Sequence, residues 1–358
     1  MKIGKITLSQ PFALAPMAGM TDTAFRRLVK RRGGCGLVVS EMVSSEGLVR
    51  GIDRTLEYAE YTEEERPVSI QIFGGDPGKM ARAAQIVEGM GADIVDVNMG
   101  CPVPKIAKHN AGCSLMREPA QAQAVVSAMT KAVRIPVTVK MRAGWNEQEI
   151  NAPELARRME DAGAAAVAVH GRTAAQSYSG LSDWDLINHV AANISIPVFG
   201  SGDCVEPGDL VRKLDAVRGG RVAGVLVGRG ALRNPWIFEQ AAAMARGEQP
   251  REITMPERGQ FLLDYIDLLL FERTREAAGF RHVAPTLPDA PGPTPEHGVA
   301  RGHHKWVINK LRALNSWYTK GLDNGSHLRI KVNAAESIPH LREIIAEFFE
   351  VNCSAYSE

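Results

Sequence analysis

The sequence predicts an α/β protein, a (β/α)8 TIM barrel followed by a small all-helical C-terminal domain. Three observations lead there. Eight short apolar runs recur through the first two thirds of the 358 residues, each continuous rather than alternating, as for parallel strands covered on both faces. Helical patterns lie between most of them. Beyond about residue 250 the strand-like runs stop and only helical periodicity remains. A doubly wound open sheet is the rival architecture, but no G-x-G-x-x-G follows the first run.

In chain order the runs are "ALAPMAG" from Ala13, "LVVSEMV" from Leu37, "VSIQIFG" from Val68 and "IVDVNMG" from Ile94. They continue with "VTVKMR" from Val137, "AVAVHGR" from Ala166, "PVFGSG" from Pro197 and "GVLVGR" from Gly224. Of the helical patterns, "TDTAFRRLVKRRGG" has a Thr/Asp start and a Gly-Gly stop, and "DPGKMARAAQIVEGMG" starts on Asp-Pro. The character changes after "NPWIFEQAAAMARGE", which places a boundary near Arg251, with a barrel over 1–250 and a helical domain over 251–358. The Pro/Gly-rich "APTLPDAPGPTPEHG" reads as an exposed, disordered loop near 283–297.

Composition narrows the function class. The chain is 45% hydrophobic and 23% charged, with a net charge of +1, so any polyanion must be met by a local patch. Five cysteines without a C-x-x-C pair argue against a disulfide framework and a zinc knuckle, and fit a reducing cytoplasm. No metal site and no obligate protein partner is implied. The mildly apolar N-terminus is broken by two prolines and "TLSQ", unlike a signal peptide, and no segment has the apolar length of a membrane span.

Barrel enzymes carry their chemistry at the C-terminal ends of the strands. Here those ends hold Pro16-Met17-Ala18, Gln71, Asn98 and Cys101, Lys140 and Arg142, His170 to Thr173, Ser201-Gly202-Asp203, and Gly228-Arg229. Singly, each has an ordinary reading: a turn hydrogen bond for Gln or Asn, a small buried hydrophobe for Cys. Lys140 is hardest to dismiss, because an unpaired buried ammonium is costly, so it calls for an anion or an electron-rich ligand. "FGSGD" and "LVGRGAL" are Gly-containing turns leading into helices after strands seven and eight, a common phosphate site in barrels. A phosphate-bearing cofactor lying across the barrel top, with Lys140 and Gln71 at its polar ring edge, describes flavin mononucleotide better than a sugar phosphate.

"APMAGMTDTAFR", "SIQIFG", "VNMGCPVPK", "AGCSLM", "VKMRAGW", "VHGRT", "SGD" and "VGRGALRNPWIF" stand in the order found in the tRNA-dihydrouridine synthases, and the chain most resembles their bacterial B-type branch. The resemblance runs from about Ile3 to Phe238 and more loosely into the tail. It implies an FMN-dependent enzyme, using NADPH (or NADH) as reductant, that reduces particular uridines in RNA to 5,6-dihydrouridine, with tRNA as the partner. It implies Cys101 as the proton donor. It carries flavin contacts onto Pro16, Met17, Ala18, Gln71, Lys140, His170, Gly202, Asp203, Gly228 and Arg229. Ser201 stands where the family usually has Asn, a change that a backbone contact to phosphate survives.

Reducing the uracil C5–C6 bond takes a hydride at C6 and a proton at C5. Because C5 is carbon, the acid must be held close to it. A thiol of ordinary pKa about 8.5 still carries its proton at neutral pH. Pro102 and Pro104 stiffen the loop that presents Cys101, while Cys113 reads as a packed small residue. A stacked uridine cannot reach the barrel floor, so it must be flipped out, and binding to the surrounding RNA has to offset that cost. Asn98, Lys105, Lys108 and Arg172 are candidates for RNA contact near the mouth.

In the tail, seven Lys or Arg residues face one acid, Asp323, between Arg301 and Lys331. Lys305, Asn309, Arg312, Ser316 and Lys320 fall on one helical face, opposite Val307, Leu311, Leu314 and Tyr318. This is either a phosphate-binding stripe or a solvated face, and in both cases the tail is expected to stay clear of the barrel mouth. Three other readings stand beside this one: the same chemistry on ribosomal RNA, a small-molecule flavin barrel such as a dihydropyrimidine or dihydroorotate dehydrogenase, and a non-catalytic RNA-binding barrel.

Overall fold

A computed structural model describes residues 1–107, 110–215, 222–271, 281–282 and 301–351. Lys108 and the Pro/Gly-rich stretch near 283–297 lie outside the described residues, and so does the side chain of Lys105. The eight expected runs are eight strands: β1 (Phe12–Leu14), β2 (Leu37–Val39), β3 (Val68–Phe73), β4 (Ile94–Met99), β5 (Val137–Arg142), β6 (Ala166–His170), β7 (Val198–Ser201) and β8 (Gly224–Val227). Each pairs in parallel with the next, and β8 pairs with β1, so the sheet closes. The continuous apolar pattern has its cause in burial on both faces, by helices outside and by barrel packing inside. All six residues of β4 are buried.

The helix signals hold. Asp22 caps Thr23–Arg32 by accepting from the Phe25 N–H, and Gly33 ends it at φ 85°. Asp76 caps Pro77–Gly89, with Pro77 in the first turn, where no N–H is needed. The sequence reading missed the N-terminal hairpin of Lys2–Ile3 with Ile6–Thr7. Ile3 and Leu8 from this region join Phe199, Ala166 and Leu226 in a separate apolar cluster, which gives the mildly apolar N-terminus its purpose.

Among the described residues the tail consists of helices Met255–Phe271, Arg301–Tyr318, Gly325–Ala334 and Ile338–Phe349 and, against the all-helical expectation, a two-residue strand, Arg281–His282, that pairs antiparallel with Tyr61–Thr62 of the barrel domain. They dock through aromatic rings: Phe261 meets Phe25 at 6.1 Å, Trp236 at 5.5 Å and Tyr318 at 5.6 Å, and Tyr318 meets Phe349 at 6.4 Å. Val307, Leu311, Leu314 and Tyr318 are buried, as the helical spacing requires. One apolar core therefore runs from the barrel helices into the tail across the extended stretch around Arg251. Among the described residues no helix is long and apolar enough to cross a membrane.

Candidate active site

At the C-terminal ends of the strands lies a cavity of about 690 Å³, inside the usual size range of small-molecule sites. It gathers most of the expected residues: Pro16, Met17 and Ala18; Gln71, Asn98 and Cys101; Lys140 and His170; Ser201, Gly202 and Asp203; Gly228 and Arg229. Arg172, Lys305 and Arg312 do not line it.

Strand register places the polar residues. Gln71, Asp96 and Thr138 stand side by side on β3, β4 and β5, and Asn98 stands beside Lys140 one step along. Asp96 and Asn98 are two apart on one strand and so share a face. Asp96 accepts from Gln71 Nε2 at 2.7 Å and pairs with Thr138 Oγ1 at 2.5 Å. Asn98 Nδ2 donates to Gln71 Oε1 at 2.7 Å, and Asn98 Oδ1 accepts from the N–H groups of Gly100 (3.1 Å) and Cys101 (2.9 Å). Asn98 thus holds the Cys101 loop from inside. Gly112 lies so close that a Cβ there would come within 2.7 Å of the Cys101 carbonyl, and the Cys113 N–H donates to that same carbonyl. Cys113 is fully buried, as expected of a packed residue. Cys101 is half-buried, and burial pushes its thiol pKa up despite the Val103 backbone, Arg142 and Lys140, so it keeps its proton at neutral pH.

The cations of the mouth divide sharply. Lys140 makes no hydrogen bond or ion pair among the described residues; burial, with Arg142 adding to it, lowers its pKa to about 8. Arg142 is buried, and its guanidinium donates to the carbonyls of Gly100, Thr173 and Ser177. Arg172, at 2% exposure, binds Asp203 at 2.6 Å and the carbonyls of Ser179 and Gly180, so its donors point inward. Burial, reinforced by Lys140, Arg142, Arg172 and Arg229, drives the His170 pKa down to about 2, leaving a neutral imidazole. Beside Ser69, Asp96, Thr138 and Lys140 lies a void of about 30 Å³ whose other walls are apolar, Phe199 and Leu226 among them; Ser69 Oγ has no described partner.

At the far edge, Gly202 has φ 120° and Asp203 φ 53°. A Cβ on Gly202 would lie 2.3 Å from Ser182 Oγ, so only glycine fits. The N–H groups of Gly202, Asp203, Gly228 and Arg229 have no acceptor among the described backbone groups. With Lys140, they give the cavity a partnerless ammonium on one side and open amide donors on the other. That donor set suits a ligand with an electron-rich ring and a phosphate. Arg229 sits 4.4 Å from the Tyr178 ring and 5.9 Å from that of Trp317.

The tail does not stay clear of the mouth. Trp317 and Lys320 line the cavity, with the Lys320 ammonium 3.7 Å from the Trp317 ring centroid. The helix ends at Tyr318, so Lys320 belongs to the following turn rather than to the helical stripe. Lys310 reaches from the same helix to the Gly19 carbonyl (3.0 Å), Asp22 (2.9 Å) and Glu41 (3.5 Å), and Glu41 in turn accepts from the Gly19 N–H. The tail is thereby fastened to the loop after β1. Arg312 is half-buried and caps the Ala335 carbonyl at 2.9 Å, whereas Lys305 is exposed. Tyr178, Trp317 and Arg233 line the site but were missed: Tyr178 lies on a loop without periodicity, and Trp317 and Arg233 lie on helices whose facing the mouth is set by tertiary placement alone. Asp96 was passed over although it is charged within an apolar run, the very signal that singled out Lys140.

Comparison with known proteins agrees with this geometry. A family model described as dihydrouridine synthase (Dus) matches residues 13–291. The chain is similar to a probable tRNA-dihydrouridine synthase of Rickettsia conorii, 35% identical over 350 residues, covering 97% of this chain and 96% of the relative. It is 42% identical over 271 residues to a probable tRNA-dihydrouridine synthase of Rhodobacter capsulatus (75% and 82% covered). It is 39% identical over 295 residues to tRNA-dihydrouridine synthase B of Pseudomonas aeruginosa (81% and 88%).

Proposed function

Because the chain belongs to the dihydrouridine synthase family, we propose that it reduces uridines of tRNA to 5,6-dihydrouridine in the cytoplasm, with FMN as its flavin and NADPH as reductant. The observation that supports this best is the pairing, in one cavity, of a protonated half-buried thiol at Cys101 with a partnerless ammonium at Lys140. Lys140 and Gln71 would hold the polar edge of the flavin ring. The loop Pro16–Met17–Ala18 would bound the ring, and the open N–H groups at Gly202, Asp203, Gly228 and Arg229 would take the phosphate. The bound flavin supplies the hydride for C6 of the base.

The protein's own part is to bind, orient and protonate. Cys101 holds its proton on Sγ because burial disfavours the thiolate, and delivers it to C5. Asn98 sets the position of that loop through two backbone N–H groups. His170, neutral at working pH, contributes a hydrogen-bonding ring without adding to the positive charge. Residues 1–250 act as the catalytic barrel and 251–358 as the RNA-binding part. Trp317 and Lys320 stand where the flipped nucleotide must pass.

The test is direct. The purified protein should be yellow and release FMN on denaturation. With NADPH it should raise the dihydrouridine content of tRNA taken from cells lacking the gene. A protein that stays colourless after reconstitution with FMN, or that leaves the tRNA unchanged, contradicts the proposal.

A further inference from the structure

We infer that Asp96 is a positioning residue: it is the buried end of a one-way chain of amide hydrogen bonds, through Gln71 and Asn98, that holds the loop carrying Cys101. The inference deepens the proposed function and rests on it only for the importance given to Cys101. The chain has two fixed ends. At one end Asp96, 5% exposed, accepts from Gln71 Nε2 on Oδ2 at 2.7 Å and pairs with the Thr138 hydroxyl on Oδ1 at 2.5 Å; burial raises its pKa, and a proton held on Oδ1 towards Thr138 leaves Oδ2 an acceptor for Gln71. At the other end the N–H groups of Gly100 and Cys101 act as donors only. Between them stand two amides, each with a donor side and an acceptor side. The ends permit a single polarity: Gln71 shows its nitrogen to Asp96 and its oxygen to Asn98, and Asn98 shows its nitrogen to Gln71 and its oxygen to the loop. Reversing either amide alone sets oxygen against oxygen or N–H against N–H in a buried place, which costs the full desolvation of both groups. The pleat makes this possible, since Asp96 and Asn98 share a face of β4 and Gln71 stands in register beside Asp96 on β3.

Polarity has a signature that mere packing lacks: it can be turned round. Asn98→Asp places a second carboxyl group opposite Gln71, whose oxygen must then face one of two acceptors. The loop N–H groups keep their acceptor, but the chain behind them breaks. Adding Asp96→Asn mends it. Gln71 turns over, donating to Asp at 98 and accepting from Asn at 96, whose oxygen receives Thr138 Oγ1. The polarity is reversed and every group is satisfied. The single Asp96→Asn change costs less than Asn98→Asp, because the Thr138 hydroxyl can also accept.

The readouts are the rate of iodoacetamide alkylation at Cys101, resolved from the other cysteines by peptide mapping, and the thermal melt of the FMN-loaded protein. Neither involves RNA turnover. Asn98→Asp should speed alkylation several-fold and lower the melting temperature. The double variant Asp96→Asn/Asn98→Asp should return to within about twofold of the wild-type alkylation rate, the scatter expected of uncoupled changes. Asn98→Ala, which has no amide to reverse, should gain nothing from Asp96→Asn. A double variant no better than Asn98→Asp, including one that fails to fold, overturns the inference, as does equal rescue of Asn98→Ala. The proposed function stands or falls separately, on dihydrouridine formation.

Discussion

The barrel mouth and the helix Arg301–Tyr318 are both rich in cations, yet they use them in opposite ways. At the mouth, Arg142 and Arg172 are tied to backbone carbonyls and to Asp203, and Lys140 is left without a partner beside the cavity. In the tail region most basic residues work internally. Lys310 binds Asp22 and Glu41, Arg312 caps the Ala335 carbonyl, Arg329 donates to Thr319 Oγ1, and Lys331 pairs with Glu347. Lys331 is exposed even though paired, and Lys305 and Lys320 are exposed without an ion pair among the described residues. A count of charges thus overstates the tail as a phosphate surface, while one lysine in an apolar strand carries more information than the count. The cost of an unpaired buried charge makes it so: what folding leaves unpaired, a ligand must satisfy.

The contrast is broken most severely at Lys140. Lys140→Met should weaken FMN binding by roughly 10- to 100-fold, the worth of a hydrogen bond to a charged group, measured by flavin fluorescence. The flavin-free variant should be more stable than the flavin-free parent by about 1–3 kcal/mol, since an ammonium disfavoured by burial is gone. The sign with pH follows. The folded Lys140 pKa of about 8 lies below the unfolded value, so below pH 8 both states are protonated and the penalty is complete. As pH rises from about 8 towards the ordinary lysine range, the folded state loses its proton first and the parent gains stability. The buried thiols, held protonated in the folded state, pull stability down over the same range in both proteins, so urea melts should show the parent gaining relative to Lys140→Met as pH rises; a difference that does not change with pH would assign the rise to another group.

Lys310→Met tests the other side. It leaves Asp22 and Glu41, both largely buried, without their cation and should cost about 3–5 kcal/mol. Adding Glu41→Gln should recover part of that in a denaturant melt. A small loss from Lys310→Met alone would mean that the tail is held by its aromatic contacts. The gentlest expected effect separates Lys305 from Arg312. Lys305→Glu should lower the salt dependence of tRNA binding by roughly one unit of log–log slope. Arg312→Glu should mainly lower the melting temperature, because it uncaps Ala335. Equal slope changes in the two variants would restore the simple helical stripe.

The barrel was legible because its strands are buried on both faces and so read as unbroken apolar runs, and the strand-end rule then collected Gln71, Asn98, Cys101, Lys140 and His170. Partners were not legible. Nothing local says that Arg172 turns inward to Asp203 or that Asn98, while lining the cavity, also supports a loop. Two-residue strands such as Lys2–Ile3 are too short for periodicity to register. Tyr178 and Trp317 reach the cavity only through tertiary placement, the first from a loop and the second from a helix docked by Lys310.

The central claim is that Cys101 supplies the proton for C5 and nothing else. Rapid-mixing absorbance of flavin reoxidation, after reduction by NADPH and addition of tRNA lacking dihydrouridine, tests it most directly. Cys101→Ala should bind FMN and be reduced at about the parent rate, then reoxidise with tRNA roughly 10²-fold or more slowly, the usual worth of a positioned acid. Cys113→Ala, at a fully buried neighbour with a thiol pushed up to about 12, should reoxidise nearly as the parent does. Parent-like reoxidation in Cys101→Ala, or a stall in Cys113→Ala instead, would contradict the account.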